Sequence, residues 1–171
     1  QFEPWPLEGN NGVRLGENLM QMTEDGLGRL WITTHREGLF VLDQDRKNYT
    51  HIQHDPLDRS SLSTNNLTAI YTDPLDGSIS VSTRDGGLNH LIGQNEGKWQ
   101  FEHYRYNAED PRSLSSDHTW QVLRTHNNQL WVATLGGGLN KVIEGEQVEF
   151  ERFTMSDGLT DNDVECLAED G

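Results

Sequence analysis

The chain has 171 residues, with 28 Asp and Glu against 13 Lys and Arg, and its formal charge of -15 disfavours nucleic acid and anionic lipid as partners. Hydrophobic residues make up only 33% of the chain, yet it has 17 Gly and five Trp, a composition typical of an all-β protein with many tight turns. A single cysteine, Cys166, excludes an intrachain disulfide and a cysteine-rich metal site.

The first unit of the chain contains four short segments with strand character. Phe2–Trp5 looks like the last strand of a preceding unit. Leu19–Met22 then alternates between apolar and polar residues, Leu30–Thr34 follows a turn, and a Gly-Leu-Phe segment leads to Tyr49–Ile52. Period-two patterns separated by Gly, Asn, Asp and Pro predict four antiparallel strands, near residues 19–24, 29–34, 38–43 and 48–54.

The same plan recurs twice more in the chain. Thr34, Thr83 and Thr134 end equivalent strands 49 and 51 residues apart, and a Gly-Leu pair lies at the same distance after each of them. Trp31 and Trp131 share one register, where the second unit has Ser80 instead. Four strands in a unit of about 50 residues predict the blade of a β-propeller, in which the repeated Trp packs as core between blades.

Polar connectors join the units, and each has one leucine that we expect to be buried, Leu62 and Leu114. A fourth copy begins at Val164–Leu167, so we expect about three blades from a larger propeller. The predicted boundaries are the end of a preceding blade and a connector at 1–18, blades at 19–63, 64–115 and 116–160, and the start of a truncated fourth blade at 161–171.

The Leu-Trp-Ile-Thr-Thr segment ending at Thr34 and the segment Leu130–Leu139 resemble the two-component regulator propeller repeat. The likeness extends over nearly the whole chain, because turn, Trp strand, Gly-Gly-Leu and connector recur in order. Ser80, and the Asn127-Asn128 pair in place of Asp and Gly, depart from the family pattern. The resemblance implies a seven-bladed propeller in the periplasmic sensor region of a membrane-anchored hybrid histidine kinase or a related signalling protein, and a response to oligosaccharides.

The ligand-binding candidates are loop residues and tryptophans that the blade plan does not explain. The pair after each repeated Thr varies, and equivalent loops of successive blades open on one face of a propeller, which makes His35, Arg36, Arg84 and Asp85 candidates. The second set comprises Trp99 and Trp120, which recur in no other unit and have aromatic faces that could pack on a sugar ring.

Catalysis is not expected, because the acidic residues fall in turns and connectors that a blade already needs. The histidines are scattered singly, so we predict no metal site and no cofactor. Cys166 is predicted to be inert packing in a strand. Two alternatives remain open: a fragment of a propeller glycoside hydrolase, and a protein-interaction scaffold propeller.

The expected partners are an oligosaccharide or other small ligand and the remaining blades of the same protein. Exposed sheet faces at the ends of an incomplete ring also favour association, as in a homodimer. Nucleic acid is not an expected partner.

Overall fold

Twelve strands form three consecutive four-stranded sheets in the computed structural model, which describes residues 18–170. Each sheet is antiparallel with its strands in chain order, and this plan confirms the predicted propeller blades. The strands of blade 1 are β1 (Leu19–Glu24), β2 (Leu30–Thr34), β3 (Leu39–Leu42) and β4 (Tyr49–Ile52). Those of blade 2 are β5 (Leu67–Thr72), β6 (Ile79–Thr83), β7 (Leu88–Asn95) and β8 (Lys98–Tyr104). Those of blade 3 are β9 (Thr119–Arg124), β10 (Leu130–Thr134), β11 (Gly138–Ile143) and β12 (Glu149–Phe153).

The residues that repeat between units hold each blade together through buried hydrogen bonds. The hydroxyl groups of Thr34, Thr83 and Thr134 donate to the carbonyl oxygens of Gly38, Gly87 and Gly138 over 2.7, 2.7 and 2.8 Å. These bonds close the loop between the second and third strands, where each of the three glycines has a positive φ. The repeated Thr and Gly therefore have a structural explanation in all three blades.

Asparagines in blades 2 and 3 attach the connector to the sheet. The side chain of Asn89 accepts from the Ser63 N–H and donates to the Ser63 hydroxyl, over 2.8 and 2.9 Å. Asn140 makes the same two bonds to Ser115. Because both asparagines are fully buried, these bonds satisfy polar groups that would otherwise be costly inside the protein.

The apolar core lies between blades rather than within one sheet. Leu62 of the first connector is fully buried in a cluster that joins Trp31 of blade 1 to Leu67 and Phe101 of blade 2. Leu114 of the second connector occupies the matching cluster between blades 2 and 3. The predicted role of these two leucines as buried connector residues is confirmed.

The repeated tryptophans differ in burial because of their neighbours. Trp31 is fully buried between blades 1 and 2, as predicted. Trp131 was expected to be largely buried but is only half-buried, with Phe153 of its own blade 5.6 Å away between ring centroids. It lies on the side of blade 3 that faces away from blade 2, where no blade packs within the described part of the chain.

Residues 161–170 run beside blade 3 without forming a strand. The Val164 N–H donates to the Thr134 carbonyl, and the Leu167 N–H donates to Oε1 of Gln121 on β9. The expectation that Cys166 packs inside a strand is wrong, since this thiol is exposed; no strand of the described segment covers it. The start of a fourth blade remains a proposal for this segment, and the predicted end of a preceding blade lies outside the described residues except for Asn18.

No helix within residues 18–170 has the length and apolar character needed to cross a membrane.

Candidate functional site

The loops between the second and third strands, residues 35–37, 84–86 and 135–137, lie at one end of the blades, which we call the loop face. Each loop is joined to the residue that precedes an inner strand. The N–H groups of His35, Arg84 and Leu135 donate to the carbonyl oxygens of Asn18, Asn66 and His118, each over 2.9 Å. The opposite end, which we call the turn face, carries the turns between first and second strands at residues 25–29, 73–78 and 125–129.

The four predicted loop residues all lie on the loop face. His35 is half-buried and forms an isolated bridge with Asn66, whereas Arg36 is exposed with a φ of 76°. Arg84 and Asp85 are exposed, and Oδ2 of Asp85 accepts from the Asn66 side chain over 2.8 Å. The structure therefore keeps Asp85 in a fixed position and leaves the Arg84 guanidinium accessible to a ligand.

Trp120 lies on the inner strand of blade 3 at a β-bulge. The pairing of inner and second strands skips one residue in every blade, and the skipped residues are Met20, Thr68 and Trp120. A bulge redirects the side chain of the extra residue, and here the half-buried indole lines an open cavity of about 340 Å³ at the inner edges of the three blades. Glu165 lines the same cavity.

His118 connects Trp120 with the charged loop of blade 2. The two rings are 5.8 Å apart between centroids, and Nε2 of His118 is buried without a hydrogen-bond partner among the described residues. Burial lowers the pKa of the His118 imidazole, and the charge of Arg84 lowers it further against the smaller raising effects of Asp163 and Asp85. The ring is therefore uncharged at neutral pH, and its Nε2 is shielded from solvent.

The structure thus brings Arg84, Asp85 and Trp120 together around His118. Sequence analysis missed His118 and Asp163, whose carboxylate accepts from the Gly136 N–H over 2.7 Å. Only the position of His118, two residues before the unexplained Trp120, could have indicated it. We refer to these five residues as the loop-face cluster.

Trp99 lies away from this cluster, at the start of the outer strand of blade 2. Its ring packs edge-on against Trp31 with 4.9 Å between centroids, and the Arg29 guanidinium lies 5.0 Å from it. The indole is half-buried and also lines a cavity of about 240 Å³ at the outer edge of blades 1 and 2. Its contacts with the core explain Trp99 as packing.

Within residues 18–170, no group of three or more His, Cys, Asp or Glu side chains is arranged to hold a metal ion. Both acidic members of the loop-face cluster accept hydrogen bonds from neighbouring N–H groups, and the cluster combines these polar groups with the aromatic ring of Trp120. This arrangement suits the binding of a neutral polar molecule.

No family model and no curated protein matches the chain. Solved structures do match. The extracellular domain of BT3049 from B. thetaiotaomicron, assigned to a hybrid two-component system, has a TM-score of 0.75 and 26% identity, over 90% of this chain and 22% of that domain. The extracellular domain of BT4673 from the same organism, also assigned to a hybrid two-component system, has a TM-score of 0.69 and 21% identity, over 91% of this chain and 21% of that one.

YCF48 from Cyanidioschyzon merolae also matches, with a TM-score of 0.57 and 13% identity, over 90% of this chain and 46% of that one. At this identity the match shows a shared fold alone. The chain spans about a fifth of the length of the two extracellular domains. The predicted resemblance to two-component regulator propellers is confirmed, because the chain is similar in sequence and fold to the extracellular domain of a protein assigned to such a system.

Proposed function

We propose that the chain is a ligand-binding module in the extracytoplasmic sensor propeller of a bacterial two-component signalling protein, and that it binds a neutral oligosaccharide at the loop-face cluster. The observation that carries this proposal is the position of Trp120. Its indole is placed by a bulge beside an open cavity, and the His118 ring lies 5.8 Å away between centroids.

The chemistry of the cluster fits a sugar. The C–H face of a pyranose packs on an aromatic ring such as Trp120, while the exposed Arg84 and Asp85 supply donors and acceptors for hydroxyl groups. The charge of -15 disfavours acidic polysaccharide fragments and leaves neutral oligosaccharides as the favoured class.

A sensor is favoured over a hydrolase because the chain is similar to an extracellular domain assigned to a hybrid two-component system, and because two carboxylates of the cluster are already held by the protein. Asp85 and Asp163 each accept a hydrogen bond from a neighbouring N–H group of the protein. We therefore propose that this segment binds its ligand without cleaving it. The similarity to BT3049 supports an extracytoplasmic location and further blades of the same protein as its neighbours.

Calorimetric titration of the full-length protein with a panel of neutral oligosaccharides tests the proposal. Trp120→Ala is expected to weaken binding by about 2 kcal/mol, roughly thirtyfold in Kd, as for an aromatic residue at the centre of a binding surface. Arg59→Ala, at an exposed position in the first connector, is the control and should leave the affinity unchanged. Unchanged affinity in Trp120→Ala, or release of shortened sugars during the titration, would contradict the proposal.

A further inference from the structure

The space between blades 2 and 3 contains a cavity at a position that two indoles occupy between blades 1 and 2. Between blades 1 and 2, the buried ring of Trp31 meets Trp99 edge-on at 4.9 Å, and these two indoles fill the space. At the equivalent positions between blades 2 and 3 stand Ser80 and Val148. The register follows from matching hydrogen bonds, since the Phe101 and Phe150 N–H groups each donate over 2.7 Å to a connector carbonyl.

Because Ser80 and Val148 stand where the other interface has two indoles, a cavity of about 160 Å³ remains between blades 2 and 3. Ser80 and Leu88 line it on one side, and Leu130, Val142 and Phe150 line it on the other. An apolar cavity of about 150 Å³ in another protein stays dry and binds benzene. The cavity between blades 2 and 3 is therefore large enough for one aromatic ring system, and its wall combines these apolar side chains with polar ones such as His90, Tyr104 and Glu144.

Two polar groups on the wall, the Tyr104 hydroxyl and the Arg124 guanidinium, are held by hydrogen bonds within the protein. In blade 1, Oδ2 of Asp25 accepts from the Trp31 indole N–H over 2.7 Å. In blade 2 the equivalent Asp73 has no indole to bind and instead accepts from Nε of Arg124, which reaches across from blade 3, over 2.7 Å.

The rest of the Arg124 guanidinium is also bound. Its Nη1 donates to the Asn128 carbonyl over 2.8 Å, and its Nη2 donates to Oε1 of Glu144 over 2.7 Å. With its side chain only 5% exposed, Arg124 forms a fixed wall rather than a free cation for an anionic ligand. Asp76 also lines the cavity and is ionised at neutral pH, since a hydrogen bond from Ser78 lowers its pKa, so anionic compounds are disfavoured further.

We propose that this cavity is a second binding site, separate from the loop-face cluster, and that it takes a neutral planar aromatic molecule of one or two rings. Bound there, the ring occupies the place that a tryptophan fills between blades 1 and 2. Asp76 and Ser78 of the turn face line the site, and none of its lining residues belongs to the loop-face cluster. Ligand bound in it would strengthen the contact between blades 2 and 3.

Titration of the full-length protein with indole, and with phenol as the one-ring probe, tests this site by methyl NMR and thermal unfolding. Saturable shifts of the Leu88, Leu130 and Val142 methyl signals are expected, with a rise in Tm, because a ligand that binds only the folded state stabilises it. Ser80→Trp fills the cavity from blade 2 and should weaken indole binding about tenfold or more. Val148→Trp fills it from blade 3 and provides the same test if Ser80→Trp does not fold.

The matched control is Thr50→Trp, on the cavity at the outer edge of blades 1 and 2, which should leave the indole affinity unchanged. Absence of saturable shifts for both probes would overturn the proposal. So would indole binding that persists at native affinity in a folded Ser80→Trp or Val148→Trp variant.

Discussion

Replacement of Trp31 by Ala tests the inter-blade packing that defines the fold. Trp31 is fully buried, its indole N–H donates to Asp25 over 2.7 Å, and Trp99 packs edge-on against it. Truncation of a buried aromatic residue lowers the free energy of unfolding by about 3–5 kcal/mol. Trp31→Ala also removes a hydrogen-bond donor to the buried Asp25 carboxylate, so we expect a loss at the upper end of this range, about 4–5 kcal/mol. Three other hydrogen bonds to Asp25, from Leu27 and Arg29, limit the added cost.

The same position in the other blades supplies the controls. Trp131 is half-buried and lacks a blade on its outer side, so Trp131→Ala in this chain should cost about half as much, roughly 2 kcal/mol. Ser80→Ala removes one hydroxyl beside an existing cavity and should cost less than about 1 kcal/mol.

Equilibrium unfolding in urea, followed by far-UV circular dichroism, measures these differences as shifts of the midpoint at constant slope. Trp31→Phe keeps an aromatic ring and provides a milder variant if Trp31→Ala does not fold at all. Equal losses for Trp31→Ala and Trp131→Ala in this chain, or a loss below about 1 kcal/mol for Trp31→Ala, would refute the assignment of Trp31 to the core.

The remaining predictions concern the buried charges and the loop-face histidine. Arg124→Met should lower the free energy of unfolding by about 3–5 kcal/mol, because it leaves the Asp73 carboxylate buried without its partner, and urea unfolding of Arg124→Met with and without Asp73→Asn should show the second change restoring part of the loss. A loss in the double variant as large as in Arg124→Met alone would contradict this pairing. Because the pKa of His118 is lowered in the folded protein, the unfolded chain binds a proton at this residue more readily than the folded chain does. The contribution of the uncharged His118 to stability is therefore complete above pH 6.5 and is lost as the pH falls below that value. His118→Gln should therefore lose less stability than the native chain between about pH 7 and pH 5, measured by urea unfolding at each pH, and an identical pH dependence would contradict the assignment.

Most of the fold could be predicted because each repeated residue has a local structural task. Thr34 and its equivalents close a loop, Leu62 and Leu114 enter the core, and alternation of side chains places each strand. Trp131 was predicted less well, since its burial depends on a neighbouring blade and the register alone does not specify that neighbour.

The candidate site could be predicted only in part. Arg84 and Asp85 were found from the variability of their loop, and Trp120 because no other unit has a tryptophan there. His118 and Asp163 could not be found in the same way, because they reach the cluster through folding of two connectors rather than through a repeated position. The cavity at Ser80 could not be predicted from the sequence, because it also depends on Val148, which stands in blade 3 where blade 2 has Trp99. That Ser80 and Val148 face each other between two blades becomes visible only in three dimensions.

The most direct test of the sensor proposal is the signalling response of the full-length protein in cells exposed to an inducing oligosaccharide. Trp120→Ala is expected to abolish transcriptional induction while the protein remains folded and at native abundance, because the stacking surface of the ligand is lost. Ser80→Trp should leave induction by the oligosaccharide intact, since its cavity shares no lining residue with the loop-face cluster. Full induction in Trp120→Ala at native abundance would contradict the account.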